Sequence, residues 1–435
     1  MKPSFMITAP TSGSGKTTIA RGLMALLTAK GYTVQPFKCG PDYIDTKFHT
    51  AVCGRSSINL DTFMATPEHV SSLFMRYGQD ADMCVVEGMM GLYDGYDRDR
   101  GSSAEIARLL GLPVVLVVDA RSAAYSVAPL LHGFATFRSD VPLAGVIFNK
   151  VGSERHFKLL RQVCDDLRIN CFGYVPKRRE LEQGSRYLGL DFSENVEQAE
   201  LVRQLEATVD WKALSRLNVS CARPDTRQQT PTFKAVNPDF QGSKLRVLMA
   251  RNEESFSFLY QEVVDSFAHV KFFDPENEVP QLDDTDLLYL PGGYPEKHLE
   301  ALVANEACRT AVRNFAEQGG RIHAECGGMM YLCDSIVDDT GEYPMCGVLP
   351  YTITARKADR RLSLGYRRFV LEGREYRGHE FHYTQFLVRH GSNTECAVGT
   401  PQSVAQVFNA QGDPVPTPVL RYKNVLASYT HLYQI

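Results

Sequence analysis

One short stretch limits the fold of this chain more than any other. Residues 9–18 read APTSGSGKTT, after the apolar run Phe5 to Ala9 and before a helical pattern from Thr17 to Lys30. A strand that turns through glycines and serines into a helix N-terminus aims backbone N–H groups and the helix dipole at an anion. In such a loop Lys16 reaches the outer phosphates of ATP, and Thr17 offers its hydroxyl to Mg2+. Gly13, Ser14, Gly15 and Thr18 complete the expected cradle. The usual spacing puts a glycine five residues before Gly15, where this chain has Pro10. Ala9 is the better match, so the loop is one residue longer than usual.

The rest of the first half repeats the theme. Thr33 to Lys38, Met83 to Glu87, Pro113 to Asp119 and Leu143 to Asn149 read as further strands. They alternate little between apolar and polar, the pattern of strands buried on both faces of a parallel sheet. Strand–helix alternation then implies an α/β layered fold with helices on both faces. Between Ala222 and Ser243 the pattern fails in a polar stretch with three prolines, read as a linker. Strands begin again at Leu245 to Ala250, Asp286 to Leu290 and Arg321 to Ala324. A length of 435 residues suits two or three domains. The expected division is 1–221, a linker over 222–243, and a second α/β domain over 244–435.

Composition narrows the function classes. A net charge of -4 gives no global basic field of the kind nucleic-acid binders use. No stretch approaches the roughly 20 apolar residues that span a bilayer. MKPSFMITAP runs straight into a strand and lacks a secretory apolar core. The 11 cysteines show no C-x-x-C spacing and fit a reducing cytoplasm better than a disulfide framework. A homodimer is left open.

Three acidic positions fall at strand ends, where ligands bind in open α/β sheets. KCGPDYID (38–45) follows the second strand, VVEGMMGLYDG (85–95) the third, and Asp119 ends the fourth. Mg2+ takes only one or two carboxylates beside phosphate oxygens. Asp45 and Glu87 are favoured for metal, while Tyr43 and Asp94 are placed nearer the acceptor or the transferring phosphoryl group; Asp119 is the weaker candidate.

In the second half, residues 319–331 read GGRIHAECGGMMY: a strand, a cysteine, a helix. Small residues after Cys326 permit a strained turn that exposes a nucleophile. The Gly327 N–H is then placed to bind an oxyanion. A second donor, Gly293, comes from LPGGYPE (290–296). The base should be a histidine brought in by the fold, and His431 in ASYTHLY (427–433) is the choice.

A phosphate-loop half fused to a Cys/His half resembles the cobyrinic acid a,c-diamide synthase family. The likeness runs over essentially the whole chain, carried by TAPTSGSGKTT, KCGPDYID, EGMMGLYDG, LPGGYPE, ECGGMMYL, GHEFHY and ASYTHLY. It implies a P-loop domain of the dethiobiotin-synthetase-like branch joined to a class I-type glutamine amidotransferase domain. Their reaction amidates the a and c acetate side chains of a corrin or related tetrapyrrole. By the same likeness Asp45, Glu87 and Asp94 serve ATP, metal and substrate chemistry, Cys326 is the nucleophile and His431 its base. One departure stands out: many class I amidotransferases place Glu two residues after the histidine, where this chain has Tyr433. The orienter of His431 is therefore unidentified.

The expected chemistry is acyl-phosphate formation at one site and ammonia release from glutamine at the other, with an enclosed route between domains. Arg356, Lys357, Arg360, Arg361, Arg367 and Arg368 form a basic run suited either to the substrate's carboxylates or to a solvated loop. His379, Glu380 and His382 either line the ammonia path or acceptor pocket or are ordinary inter-domain hydrogen bonders. Rival readings are the same reaction on hydrogenobyrinic acid or nickel-sirohydrochlorin, an amidotransferase acting on a peptide-like or cell-wall substrate, and a P-loop regulatory ATPase.

Overall fold

In the computed structural model of the chain, residues 2–177, 195–218, 245–387 and 402–433 are described. Two units separate, Met1–Lys234 and Ala235–Ile435. The linker expected over 222–243 lies outside the described residues.

The first unit is built on seven parallel strands: β1 (Ser4–Thr8), β2 (Val34–Cys39), β3 (Ile58–Leu60), β4 (Met83–Glu87), β5 (Val114–Asp119), β6 (Leu143–Val151) and β7 (Cys171–Pro176), in the order β3-β2-β4-β1-β5-β6-β7. From β1 the chain passes to β2 and β3 at one edge, returns with β4 between β2 and β1, and then adds β5, β6 and β7 in turn on the other side, which opens a crevice at the carboxyl ends of the central strands. Phe5, Ile7, Val85, Val115 and Val117 face one apolar cluster with Ile19, Leu23 and Leu27 of α1 (Lys16–Ala29). The intervening Met6, Val86, Val114, Leu116 and Val118 are buried too, so both faces of the sheet are covered. That is why these strands read as unbroken apolar runs. Truncating Leu23 to Ala would cost about 2–5 kcal/mol in such a core. The helix expected over Thr17 to Lys30 forms one residue earlier at each end, and β3 and β7 had no counterpart in the sequence reading.

The second unit contains a six-stranded sheet. Its strands include β8 (Arg246–Ala250), β9 (His269–Phe273), β10 (Leu287–Leu290) and β11 (Ile322–Glu325). Next to β11 lies the parallel strand Val425–Ser428, with Val419–Tyr422 antiparallel at the edge. Two smaller sheets occupy much of the stretch between β11 and these last strands. Among the described residues no helix is long and apolar enough to cross a membrane.

Candidate active sites

The phosphate loop begins at the end of β1. Gly15 stands before α1 at φ 89°, a left-handed conformation that suits glycine. A Cβ there would lie 2.0 Å from Asn149 Nδ2. Asn149 closes on the loop by donating to the Ser14 carbonyl at 2.9 Å. Lys16 and Thr17 are the first two residues of α1, directly after this loop.

Register does the rest. Lys38 on β2 and Glu87 on β4 are direct partners across the parallel pair, so their side chains leave the sheet on the same side. Glu87 Oε1 takes Lys16 Nζ at 3.0 Å, Lys38 Nζ at 3.1 Å and the Thr17 hydroxyl at 2.6 Å. Its other oxygen meets His49 Nε2 at 2.7 Å. Asp45 Oδ2 takes Lys38 Nζ at 2.7 Å and the Thr17 hydroxyl at 3.4 Å. Asp45 and His49 lie one turn apart on α2 (Ile44–Cys53) and so share a face. Burial works against the Glu87 charge, but Lys38, Lys16 and His49 outweigh it and hold the carboxyl well below its ordinary value. Burial likewise opposes the Lys38 charge, and Asp45 and Glu87 outweigh it to raise that ammonium. Lys16 is lowered, by burial first and then by repulsion from Lys38.

The other acidic candidates hold different places. Asp94 is exposed and accepts the Gly91 N–H at 2.9 Å within a turn. That turn packs along the phosphate loop through the Leu92 N–H, which donates to Ala9 O at 2.8 Å. Asp119 pairs with Lys150 at 3.1 Å and Arg121 at 2.9 Å rather than with the Glu87 cluster. Tyr43 is buried immediately before α2. Lys38 and His49 were given no role in the sequence reading; the available signals were the lysine at a strand end and the four-residue spacing from Asp45.

The oxygen set of Thr17, Asp45 and Glu87 suits a hard cation such as Mg2+. Lys16 and Lys38 both lie on Glu87, and Lys38 also on Asp45, so a cation would bind by displacing them or by sharing the cluster with a polyphosphate.

The cysteine site depends on backbone geometry. Cys326 follows β11 directly at φ 46°, ψ -107°, a conformation that costs an L-residue roughly 1–3 kcal/mol. The helix Gly327–Leu332 follows at once. A Cβ on Gly327 would lie 3.0 Å from the Gly293 nitrogen, so the two expected oxyanion donors share one corner. A Cβ on Gly292 would lie 2.0 Å from His431 Cε1: the imidazole rests on that glycine. The Gly292–Gly293 turn therefore touches both the cysteine's elbow and the histidine. Burial, then Glu296, raises the Cys326 thiol well above its ordinary value, while the Gly327 N–H pulls the other way. Burial lowers His431 to about 4, opposed by Glu325.

The basic run does not form one patch. Ser363–Leu371 is a strand, so Arg367 and Arg368 point to opposite faces. Arg367 is buried against Glu380, and Arg368 reaches Glu375 at 3.7 Å. Glu380 also takes His382 Nε2 at 3.0 Å and the Thr417 hydroxyl at 2.8 Å. Arg367 and Glu380 are thus committed inside the second unit. His379, directly across from His431 in the strand pairing, is lowered by burial to about 3.

Comparison with known proteins follows this division. Residues 5–188 match the CobQ/CobB/MinD/ParA nucleotide binding domain, and residues 257–434 match the CobB/CobQ-like glutamine amidotransferase domain. A cobyrinate a,c-diamide synthase of Caldanaerobacter subterraneus subsp. tengcongensis is 37% identical over 98% of this chain and 94% of its own. Hydrogenobyrinate a,c-diamide synthases of Brucella anthropi and Streptomyces coelicolor are each 37% identical, over 98% and 99% of this chain and 98% and 94% of their own. With both domain families matched and this identity sustained along nearly its whole length, the chain belongs to the cobyrinate and hydrogenobyrinate a,c-diamide synthase family.

Proposed function

We propose that this protein converts the a and c acetate carboxylates of cobyrinic acid to amides, using ATP and taking nitrogen from glutamine. The observation that carries the reading is the presence in one chain of a phosphate loop whose Lys16, with the buried Lys38, is charge-balanced on Glu87, and of a strained cysteine elbow. Full-length similarity to proteins named as a,c-diamide synthases of cobyrinate and of hydrogenobyrinate supports it. Residues 1–221 are assigned to the synthetase and 244–435 to glutamine hydrolysis.

A carboxylate oxygen of the substrate attacks the γ-phosphorus, ADP leaves, and the acyl phosphate that forms is open to ammonia. Gly13, Ser14, Gly15 and Thr18 hold the phosphates through the loop and helix N-terminus, and Lys16 turns from Glu87 to the transferring group. Lys38 adds a second positive charge beside it. Thr17 with Asp45 or Glu87 would hold Mg2+, which supplies further charge neutralisation at the phosphates. Tyr43 and Asp94 are assigned to the acceptor side.

In the second unit the Cys326 sulfur attacks the glutamine carboxamide carbon. Its proton passes to His431 and on to the departing ammonia, while Gly327 and Gly293 N–H groups receive the oxyanion. Water then cleaves the thioester and releases glutamate. Burial disfavours the charged form of both the thiol and the imidazole.

The test is incubation with ATP, Mg2+ and glutamine on cobyrinic acid, hydrogenobyrinic acid and nickel-sirohydrochlorin separately. Two successive replacements of hydroxyl by amino groups on cobyrinic acid, with one ADP released for each, are expected. Faster turnover of another macrocycle would reassign the acceptor, and ATP hydrolysis with no amide formed on any would overturn the reading.

A further inference from the structure

We propose that Glu325 is the positioning residue of the cysteine site, the carboxylate that orients the imidazole of His431 in place of an acid at position 433. The inference rests on the reading of Cys326 and His431 as nucleophile and base.

Glu325 is the last residue of β11, directly before Cys326, and is buried. Its Oε2 lies 3.9 Å from His431 Nδ1 and accepts the Tyr289 hydroxyl at 2.9 Å. Its Oε1 accepts the Leu432 N–H at 3.0 Å and meets His323 Nε2 at 2.9 Å. Leu432 is the chain neighbour of His431, so this bond fixes the backbone that carries the imidazole. One carboxylate thereby joins the strand of the nucleophile to the strand of the base.

At 3.9 Å the contact with Nδ1 is longer than a hydrogen bond, so the action is orientation and attraction through space. A negative group opposite Nδ1 favours the tautomer with its proton there, leaving Nε2 to take the thiol proton. The place two residues after the histidine is filled differently. Tyr433 is buried, its ring 5.0 Å from that of Tyr260 and its N–H donating to Arg377 O at 3.2 Å. Among the groups that act on His431 are Glu325 on β11 and His379, Glu380 and His382 on the strand Arg374–His382. Of the two carboxylates, Glu380 is already bound to Arg367, His382 and Thr417. Glu325 is the one aimed at Nδ1.

The experiment follows glutamine hydrolysis and ammonia-driven amidation of cobyrinic acid side by side in the full chain. Glu325→Gln keeps the side chain's length and an acceptor for the Leu432 N–H but removes the charge. Glutamine hydrolysis should fall at least about tenfold while the ammonia-driven reaction holds. The acid limb of kcat/KM for glutamine should move to lower pH, because the imidazole loses the attraction that retains its proton. Glu325→Asp should recover part of the rate. An unmoved acid limb, or an equal loss of ammonia-driven amidation, means that Glu325 is only structural and overturns the proposal. If Glu325→Gln does not fold, Tyr289→Phe carries the test: releasing Oε2 must shift the acid limb with ammonia-driven amidation intact, and no shift overturns it. Cys326→Ala run alongside separates the two levels, since surviving glutamine hydrolysis there would fell the nucleophile assignment itself.

Discussion

At the phosphate loop, Lys16, Lys38 and His49 crowd onto Glu87, and Lys38 also holds Asp45. At the cysteine elbow, the thiol is pushed up and His431 is pushed down, so both stay neutral. Both places are buried, yet one keeps its charges and cancels them while the other suppresses them. The ligands account for the contrast. In the proposed reaction a polyphosphate would bring its own negative charge and replace Glu87 as the counter-ion of Lys16, so cations held ready would cost little reorganisation. A carboxamide is neutral, and a standing thiolate–imidazolium pair would have to be desolvated without one. There the stored quantity is backbone strain at Cys326 and the fixed N–H groups of Gly293 and Gly327.

The contrast is broken hardest at Lys16. Lys16→Ala should lower amide synthesis at least about 100-fold, near 2.7 kcal/mol in the barrier, with glutamine or ammonium alike. Glu87 would keep Lys38 and His49 as partners, so the fold should survive. Glutamine hydrolysis measured alone should continue. Steady-state rates with both nitrogen donors check this, and undiminished ammonia-driven synthesis would remove Lys16 from the chemistry.

A smaller loss is expected at Asp45. Asp45→Asn removes one of three carboxylates on Lys38, leaving Glu87 at 3.1 Å and Asp42 at 4.0 Å. An interaction made mainly in the transition state lowers kcat without a matching change in KM. The expected fall in kcat is at least about tenfold, or 1.4 kcal/mol. Loss of a partner in a buried ion network should also lower the melting temperature of this unit. Near-normal kcat with a lowered melting temperature would make Asp45 a structural carboxylate and leave Glu87 as the metal candidate.

What the sequence disclosed follows the same contrast. The loop 9–18 and the elbow around Cys326 were legible because each is contiguous: strand, small residues and helix follow in a few positions. The buried runs of β1, β4 and β5 were legible because burial on both faces leaves no alternation to misread. Partnerships made by register were not. Lys38 meets Glu87 only because β2 pairs with β4, and Glu325 meets Tyr289 and Leu432 only across three strands. The basic run left a carboxylate site and a solvated loop equally open, because sequence adjacency does not show that a strand sends Arg367 and Arg368 to opposite faces. The three-residue β3 and the two-residue strands of the second unit are too short to show any period.

Mild acid should sharpen the comparison. His431 is held at about 4 and His379 at about 3, against an ordinary 6.5. Below pH 6.5 the unfolded chain takes up protons that these buried rings refuse, so stability falls with pH until the folded values are reached. By pH 5.5 each ring should cost on the order of 1 kcal/mol. In the first unit Glu87 has its carboxyl lowered from 4.5, so its contribution is lost only in stronger acid. The single tryptophan, Trp211, lies in the first unit and reports on it alone. Circular dichroism should begin to fall between pH 6.5 and 4.5 while Trp211 fluorescence holds. Simultaneous loss of both signals would contradict the proposed difference between the units.

The smallest effect is expected at Asp94, where charge and structure can be separated. Its carboxylate accepts the Gly91 N–H at 2.9 Å, and its own N–H donates back to Gly91 O at 3.1 Å. Asparagine can accept the same N–H through its side-chain oxygen, so Asp94→Asn should keep the turn and change stability by less than about 0.5 kcal/mol. What disappears is one negative charge on an exposed side chain beside the phosphate loop. If Asp94 serves the acceptor, the substitution should change KM for cobyrinic acid severalfold, leave KM for ATP within about twofold, and leave glutamine hydrolysis alone. A charge that merely caps the turn predicts no change in any of the three. Initial rates across a matrix of ATP and cobyrinic acid concentrations distinguish these outcomes. A shift confined to ATP would move Asp94 from the acceptor side to the phosphates.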